Sequence, residues 1–233
     1  MKFATWNCSG ALHRKHQNLL TLDADLIVIQ ECSKPDIEQF SRSEGWSSWW
    51  VGSNPIKKGL GVLVKAPWVV RKAEALTPKW TGKVVIDGPE SIELFPVWAH
   101  MSETPTVEYI EQVHLLLDII EKTPIFPFTI VAGDFNSNSI WDGGYKRNHT
   151  AAVERFRKLG MESAYHVFFG IPQGAERRHP TLWFRKNKDN PYHIDYAFLN
   201  RPLLSKLRNV VVGPCEDWLS SSDHAPVLVE LDL

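Results

Sequence analysis

A set of carboxylates, amides and imidazoles stands where the apolar runs of this chain stop. It comprises Asn7, Glu31, His100, Asp134 with Asn136, His193 with Asp195, and Asp223 with His224. A polar group at a strand end is free to face a cleft, and several converging on one edge would make a reactive site. In Gly133-Asp134-Phe135-Asn136 the two polar residues are two apart, so in extended chain they share a side while Phe135 points into a core. Gly133 lets the backbone turn tightly before them. A carboxylate beside an amide can hold a metal ion, or a water together with a phosphoryl oxygen. The same four residues also read as an Asx-rich turn after a strand.

His193-Ile194-Asp195-Tyr196 repeats the logic, with His193 and Asp195 on one side and Ile194 and Tyr196 on the other. It reads equally as an amphipathic strand with a solvated face. Ser222-Asp223-His224-Ala225-Pro226 either sets a metal ligand beside a general acid or makes an exposed turn before the last strand. Glu31, after Leu26-Ile27-Val28-Ile29-Gln30, is a carboxylate at the mouth of a buried strand or a plain cap. Asn7 and His100 say little singly.

The elements that must position these groups are mostly strands. Apolar runs predict strands over Lys2–Trp6, Leu26–Ile29, Trp46–Val51, Gly61–Lys65, Trp68–Ala73, Lys83–Asp87, Ile92–His100, Thr129–Ala132, Ile194–Leu199, Leu207–Val212 and Val227–Leu231. Pro96 suggests a bulge or an edge position in its strand. The best helix is Thr104–Glu121, with Thr104 as cap, Pro105 in its first position, and Val107, Ile110, Val113, Leu117 and Ile120 at helical spacing. His149–Leu159 is a second helix, stopped by Gly160. Leu12–Leu22 is a weak helix and Pro35–Phe40 a helical turn. Strands outnumber helices and often follow one another directly. That favours two mixed sheets with helices outside over a doubly wound parallel sheet.

Composition narrows the function classes. The 233 residues suit a single domain over 1–233 with a sizeable core. With 26 Lys+Arg against 27 Asp+Glu the net charge is −1, so any affinity for phosphate must be local. No apolar run approaches the roughly 18 residues that span a bilayer. The opening MKFATWNCSG is no signal peptide, which predicts a cytoplasmic protein. Three cysteines, Cys8, Cys32 and Cys215, suit a reducing compartment and no cysteine zinc site. Of the 10 Trp, most should be core and one or two at a substrate rim.

Taken in order, the blocks say more than any one. Ala4–Asn7 (ATWN), Gln30–Glu31, Gly133–Asn136 (GDFN), His193–Tyr196 (HIDY) and Ser222–Pro226 (SDHAP) resemble the endonuclease/exonuclease/phosphatase superfamily, over nearly the whole chain. The resemblance implies an α/β fold, a four-layer sandwich of two mixed β-sheets flanked by helices. It implies a hydrolase of phosphate esters with Mg²⁺, or alternatively Mn²⁺, held by Glu31 with support from Asn7, while Asp223 would support the metal or the leaving oxygen. Hard cations of this kind prefer oxygen ligands. Asp134 would orient or deprotonate water, Asn136 would bind a phosphoryl oxygen, and His100 would touch the phosphate. His224, oriented by Asp195, would stabilise the transition-state charge or assist the leaving group. A cluster of Glu31, Asp134, Asp195 and Asp223 would repel itself without a cation, which also argues for metal.

Substrate choice should lie in the loops. The stretch from Gly170 to Asn190 carries Arg177, Arg178 and Arg185 with Trp183 and Phe184 between, a pattern able to grip phosphates and stack on bases. It also reads as a solvated charged loop. The loop from Ser137 to Asn148, with Trp141 and Tyr145, is the candidate opposite wall. Two readings follow. One is a nuclease acting on DNA or RNA; the other is a phosphatase or phosphodiesterase of a small phosphorylated metabolite or lipid headgroup. No membrane and no obligate protein partner is expected.

Overall fold

Along the strand Leu26–Cys32, side chains alternate between two cores: Leu26 and Val28 pack with Phe3, Ile130 and Val229, while Ile27 and Ile29 pack with Leu19, Ile37 and Phe40. A strand buried on both faces needs a layer on each side. The same alternation in Thr129–Asp134 sends Ile130 and Ala132 into the first core and Val131 into a third, with Val113, Leu117 and Phe156. Three cores separate four layers.

The structure, a computed structural model, describes residues 1–100, 109–124, 126–144 and 146–233. One sheet contains β1 (Lys2–Asn7), β2 (Leu26–Cys32), β3 (Ser47–Val51), β4 (Gly59–Val64), β13 (Leu207–Val212) and β14 (Val227–Leu231), in the order β13-β14-β1-β2-β4-β3. The other contains β5 (Val69–Ala75), β6 (Gly82–Asp87), β7 (Ser91–Trp98), β8 (Thr129–Asp134), β9 (Met161–Ser163) and β12 (Asp195–Asn200), in the order β5-β6-β7-β8-β12-β9. Each sheet is mixed: β1–β2 and β7–β8 are parallel, and the other pairs are antiparallel. A short hairpin, β10 (Leu182–Trp183) with β11 (Pro191–Tyr192), stands apart.

Helices α1 (His16–Thr21) and α2 (Lys34–Glu44) cover the outer face of the first sheet. Helices α3 (Ile110–Ile120) and α4 (His149–Lys158) cover that of the second. The ends of α2 are written in its sequence. Ser33 accepts the Asp36 amide, Pro35 occupies the first turn, and Gly45 takes a left-handed φ of 69° as stop. Among the described residues no helix is long and apolar enough to cross a membrane.

The expected two-sheet architecture is therefore observed, with local differences. Pro96 is not at an edge: β7 lies inside its sheet, and the missing N–H is accommodated by a gap in the ladder to β6, which resumes at Thr81 and Val97. The Leu12–Leu22 helix is broken at Lys15 into a 3₁₀ turn and α1. Thr104, Pro105 and Val107, expected in the first turns of the long helix, lie outside the described residues, as does Tyr145.

Candidate active site

The inner faces of both sheets run out of apolar residues at one edge. Phe3 and Thr5 on β1 lead to Asn7; Ile130 and Ala132 on β8 lead to Asp134; Leu199 and Ala197 on β12 lead back to Asp195. Each polar residue has the parity of its strand's inward-facing side chains, so the polar ends meet between the sheets. Asp134 and Asp195 are direct partners across the β8–β12 pair. Gly133 lets β8 lie close against β7, on its other side. A Cβ there would lie 1.8 Å from the Val97 carbonyl oxygen of the neighbouring β7.

Asp134 is fully buried and accepts three hydrogen bonds. Asn136 N–H donates to Oδ1 at 2.8 Å, while the side-chain amides of Asn7 and Asn136 donate to Oδ2 at 3.0 and 3.1 Å. Asn136 sits at φ 45°, a left-handed conformation that asparagine tolerates, and it also donates to the Ala99 carbonyl at 2.8 Å. His224 Nδ1 donates to Asp195 Oδ2 at 2.9 Å. The other oxygen, Asp195 Oδ1, is buried without a hydrogen-bond partner among the described residues. Asp134, Asp195 and His224 each bring one ligand-type atom within 4.8 Å of the others.

These contacts set the charges. Burial, then the neighbouring Asp195 carboxylate, push the Asp134 carboxyl up to about 7, against His224 and its amide donors. Burial would depress His224, but the Asp195 carboxylate, followed by Asp134 and Asp223, outweighs it and raises the imidazole to about 10. At neutral pH His224 is therefore an imidazolium beside two carboxyl groups.

Glu31 reaches this edge differently. A bulge between Gln30 and Cys32 and a φ of 63° turn it out of strand alternation. Its carboxylate pairs with the Lys58 ammonium. Asp223, half-buried, neighbours His224 in the turn before β14, and its carbonyl accepts the Trp183 N–H at 2.8 Å. His100 is half-buried, with its ring 4.7 Å from that of Trp98. His193, expected beside Asp195, lies just before β12. It packs 4.4 Å from the Tyr165 ring and donates from Nδ1 to the His179 carbonyl at 2.7 Å. Burial holds it down at about 4, so it is neutral.

Two clefts flank this edge. The larger, about 980 Å³, begins at Asn136 and is lined by Trp141, Lys146, Arg147, Leu182, Phe184 and Tyr192. The Trp141 and Tyr192 rings are 4.9 Å apart. The smaller, about 640 Å³, lies on the side of Glu31 and His100. None of Arg177, Arg178, Trp183 and Arg185 lines either cleft. Trp183 is buried in the core with Trp6 and Trp218, because β10 is drawn in by backbone bonds to the Asp223–Ala225 segment, so its ring is not at a rim. Arg177 borders a separate cavity of about 580 Å³. Arg178 is exposed, and Arg185, also exposed, lies over the Phe184 ring. The cations of the larger cleft come instead from Lys146 and from Arg147, which is paired with Glu111 and Asp118.

The sequence reading missed three supports. The Thr181 hydroxyl accepts the Ile194 and Asp195 N–H groups at 2.9 and 3.1 Å, and its carbonyl accepts the Ala225 N–H at 2.8 Å. One buried threonine thus holds both the Asp195 and the His224 segments. Ser222 donates to the Asn7 carbonyl at 2.7 Å and accepts the His224 N–H at 3.0 Å. Lys15 donates to the Cys8 and Gly10 carbonyls and fixes the loop after Asn7.

No curated protein sequence matches the chain. Solved structures of the same shape do. An AP endonuclease from Archaeoglobus fulgidus is 17% identical, with 100% of both chains covered and a TM-score of 0.76. A 3′ phosphatase, NExo, from Neisseria, bound to a product DNA hairpin, is 18% identical over 100% of both chains, with a TM-score of 0.74. An endonuclease/exonuclease/phosphatase from Beutenbergia cavernae is 14% identical, over 98% of this chain and 70% of that one, with a TM-score of 0.72. At such identities the likeness establishes the fold. The sequence profile of the Endonuclease/Exonuclease/phosphatase family spans residues 4–224, from the strand that ends in Asn7 to His224 itself, and the chain belongs to that family of phosphoester hydrolases.

Proposed function

We propose that the chain, acting as one catalytic domain over residues 1–233, is a Mg²⁺-dependent phosphodiesterase that cleaves DNA or RNA by attack of water on phosphorus. The observation that carries this is the buried Asp195–His224 pair set against Asp134, with Asp195 Oδ1 left unpartnered. An orphaned carboxylate oxygen among acids suits a cation, and an oxygen-rich donor set suits a hard one. Asp134 and the unpartnered Asp195 Oδ1 would face Mg²⁺, with Glu31, Asn7 and Asp223 as the further residues that would hold it and Mn²⁺ as the alternative ion. Bound there, the ion would neutralise charge on the phosphoryl oxygens.

The chain's own groups do the rest. Asp134 orients the attacking water and accepts its proton. The His224 imidazolium, fixed by Asp195, faces the negative charge that builds on the phosphoryl group, and as the P–O bond to the leaving oxygen breaks it would donate its Nε2 proton to that oxygen. Asn136 would turn one amide proton from Asp134 to a phosphoryl oxygen. His100 would contact the phosphate from the other wall. The larger cleft joins aromatic rings to Lys146 and Arg147, a combination that suits stacked bases and a phosphate backbone. The Neisseria relative's product DNA hairpin supports the same class of substrate. The three free cysteines support a reducing, cytoplasmic setting.

The test is hydrolysis of labelled single- and double-stranded oligonucleotides, alongside bis-p-nitrophenyl and p-nitrophenyl phosphate, with Mg²⁺, Mn²⁺ or EDTA. Metal-dependent oligonucleotide cleavage, lost in Asp134→Ala, is the expected result. Cleavage of the small esters alone would replace the nuclease with an enzyme of a phosphorylated metabolite or lipid headgroup.

A further inference from the structure

We propose that the smaller cleft is a nucleotide subsite for single-stranded substrate, in which Trp80 stacks on one unpaired base and Lys57 contacts the adjoining phosphate. This deepens, and rests on, the polynucleotide reading above.

The cleft is continuous with the reactive edge. Glu31 and His100 line it, and Asn136, across Asp134, opens into the larger cleft. Asn136 donates to the Ala99 carbonyl, beside His100, so a phosphate bound at these two residues has a cleft on each side. A small ester would fill one of them, whereas a chain running through the site occupies both.

Gly10 and Ala11 line the cleft on a preshaped turn. Ser9, Gly10 and Ala11 follow one another at φ 53°, 76° and 49°, all left-handed. Such geometry costs about 1–3 kcal/mol at each non-glycine residue and persists only where the surroundings enforce it. Here Lys15 enforces it by binding the Cys8 and Gly10 carbonyls. The wall is equally fixed. Trp80 is half-buried, its ring centroid is 5.2 Å from that of Trp98, and its carbonyl accepts the Trp98 N–H at 2.9 Å. A held aromatic ring loses little freedom on stacking, and stacking accepts any base because every base has a π-face. A paired base in a duplex would keep its faces covered, so the subsite suits a single strand.

The charges single out one lysine. Lys58 is paired with Glu31, and His13 lies 3.2 Å from Asp36. Lys57, next in the same wall, is exposed and has no carboxylate partner among the described residues.

The experiment measures KM and kcat for single-stranded oligonucleotides extended one nucleotide at a time on either side of the cleaved bond. In the wild type KM should fall when extension on one side reaches the subsite. Trp80→Leu, which keeps an apolar group against Trp98 without a flat ring, should abolish that fall and raise KM for the long strand about tenfold, with kcat nearly unchanged; one stacked base supplies this order of effect. Lys57→Ala should raise KM and flatten its salt dependence. If both variants keep the wild-type dependence on length, the subsite is refuted while the nuclease reading stands. If the wild type cleaves only small esters, the polynucleotide reading falls and takes the subsite with it. Should Trp80→Leu fail to fold, Lys57→Ala decides.

Discussion

Asp195 Oδ2 and His224 Nδ1, 2.9 Å apart, join the start of a strand in one sheet to the turn before a strand in the other. The pair is buried and charged, and it lies at the edge where both sheets end. A buried pair is costly to break, because truncating one member strands the other. Asp195→Asn should therefore lower kcat by about 10²-fold or more, and His224→Ala by a similar amount, with much smaller changes in KM. Since the two act as a unit, the double variant should be little worse than either single one. Multiplicative losses in kcat would separate the two residues and sink the dyad.

Asp134 would tie the proposed metal site to pH. Burial and the Asp195 charge raise its folded-state carboxyl to about 7, above the ordinary value near 4. A raised acid favours the protonated fold, so the metal-free protein loses stability through this group as pH climbs from about 4 to about 7. His224, raised to about 10, stabilises fully below about 6.5 and loses that contribution as pH rises further. On the proposed reading, Mg²⁺ would compete with the Asp134 proton and relieve the repulsion between the carboxylates. Thermal melts should show a larger Mg²⁺-induced rise in Tm at pH 8 than at pH 6. Equal rises would detach Asp134 from the metal.

Three residues legible in the sequence share one property: each continues the parity of an inward-facing apolar stripe. Asn7, Asp134 and Asp195 could be read because Phe3–Thr5, Ile130–Ala132 and Ala197–Leu199 point where they point. Thr181 and Ser222 carried no such mark, being small hydroxyls whose partners lie in distant segments. Trp183 and Arg185 looked alike as loop residues, yet backbone pairing with Asp223 buries the first and leaves the second exposed. His193 broke the expected alternation because β12 begins only at Asp195. Pairing between segments, rather than local pattern, decided each of these.

The Lys58 ammonium at Glu31 stands where a cation is expected. An ammonium and a divalent ion compete for one carboxylate, and partly exposed pairs are worth about 0.2–1 kcal/mol. Lys58→Ala should therefore bind Mn²⁺ up to about fivefold more tightly, measured from free Mn²⁺ by electron paramagnetic resonance. Unaltered affinity in Lys58→Ala together with unaltered affinity in Glu31→Gln would place Glu31 outside the metal site.

Thr181 tests whether the scaffold sets the chemistry. Its hydroxyl satisfies the buried Ile194 and Asp195 N–H groups, and its carbonyl holds Ala225 beside His224. Thr181→Val keeps the shape and removes the acceptor. Each buried N–H left unpaired costs about 1–3 kcal/mol, which for a chain of this size lowers Tm by several degrees. If Thr181 also positions the dyad, kcat at saturating Mg²⁺ should fall about tenfold at a temperature where the variant is fully folded. Thr181→Ser, which retains the hydroxyl, should recover most of both losses. A lower Tm with unchanged kcat would make Thr181 a structural tie only, and would leave the Asp195–His224 geometry to the strands themselves.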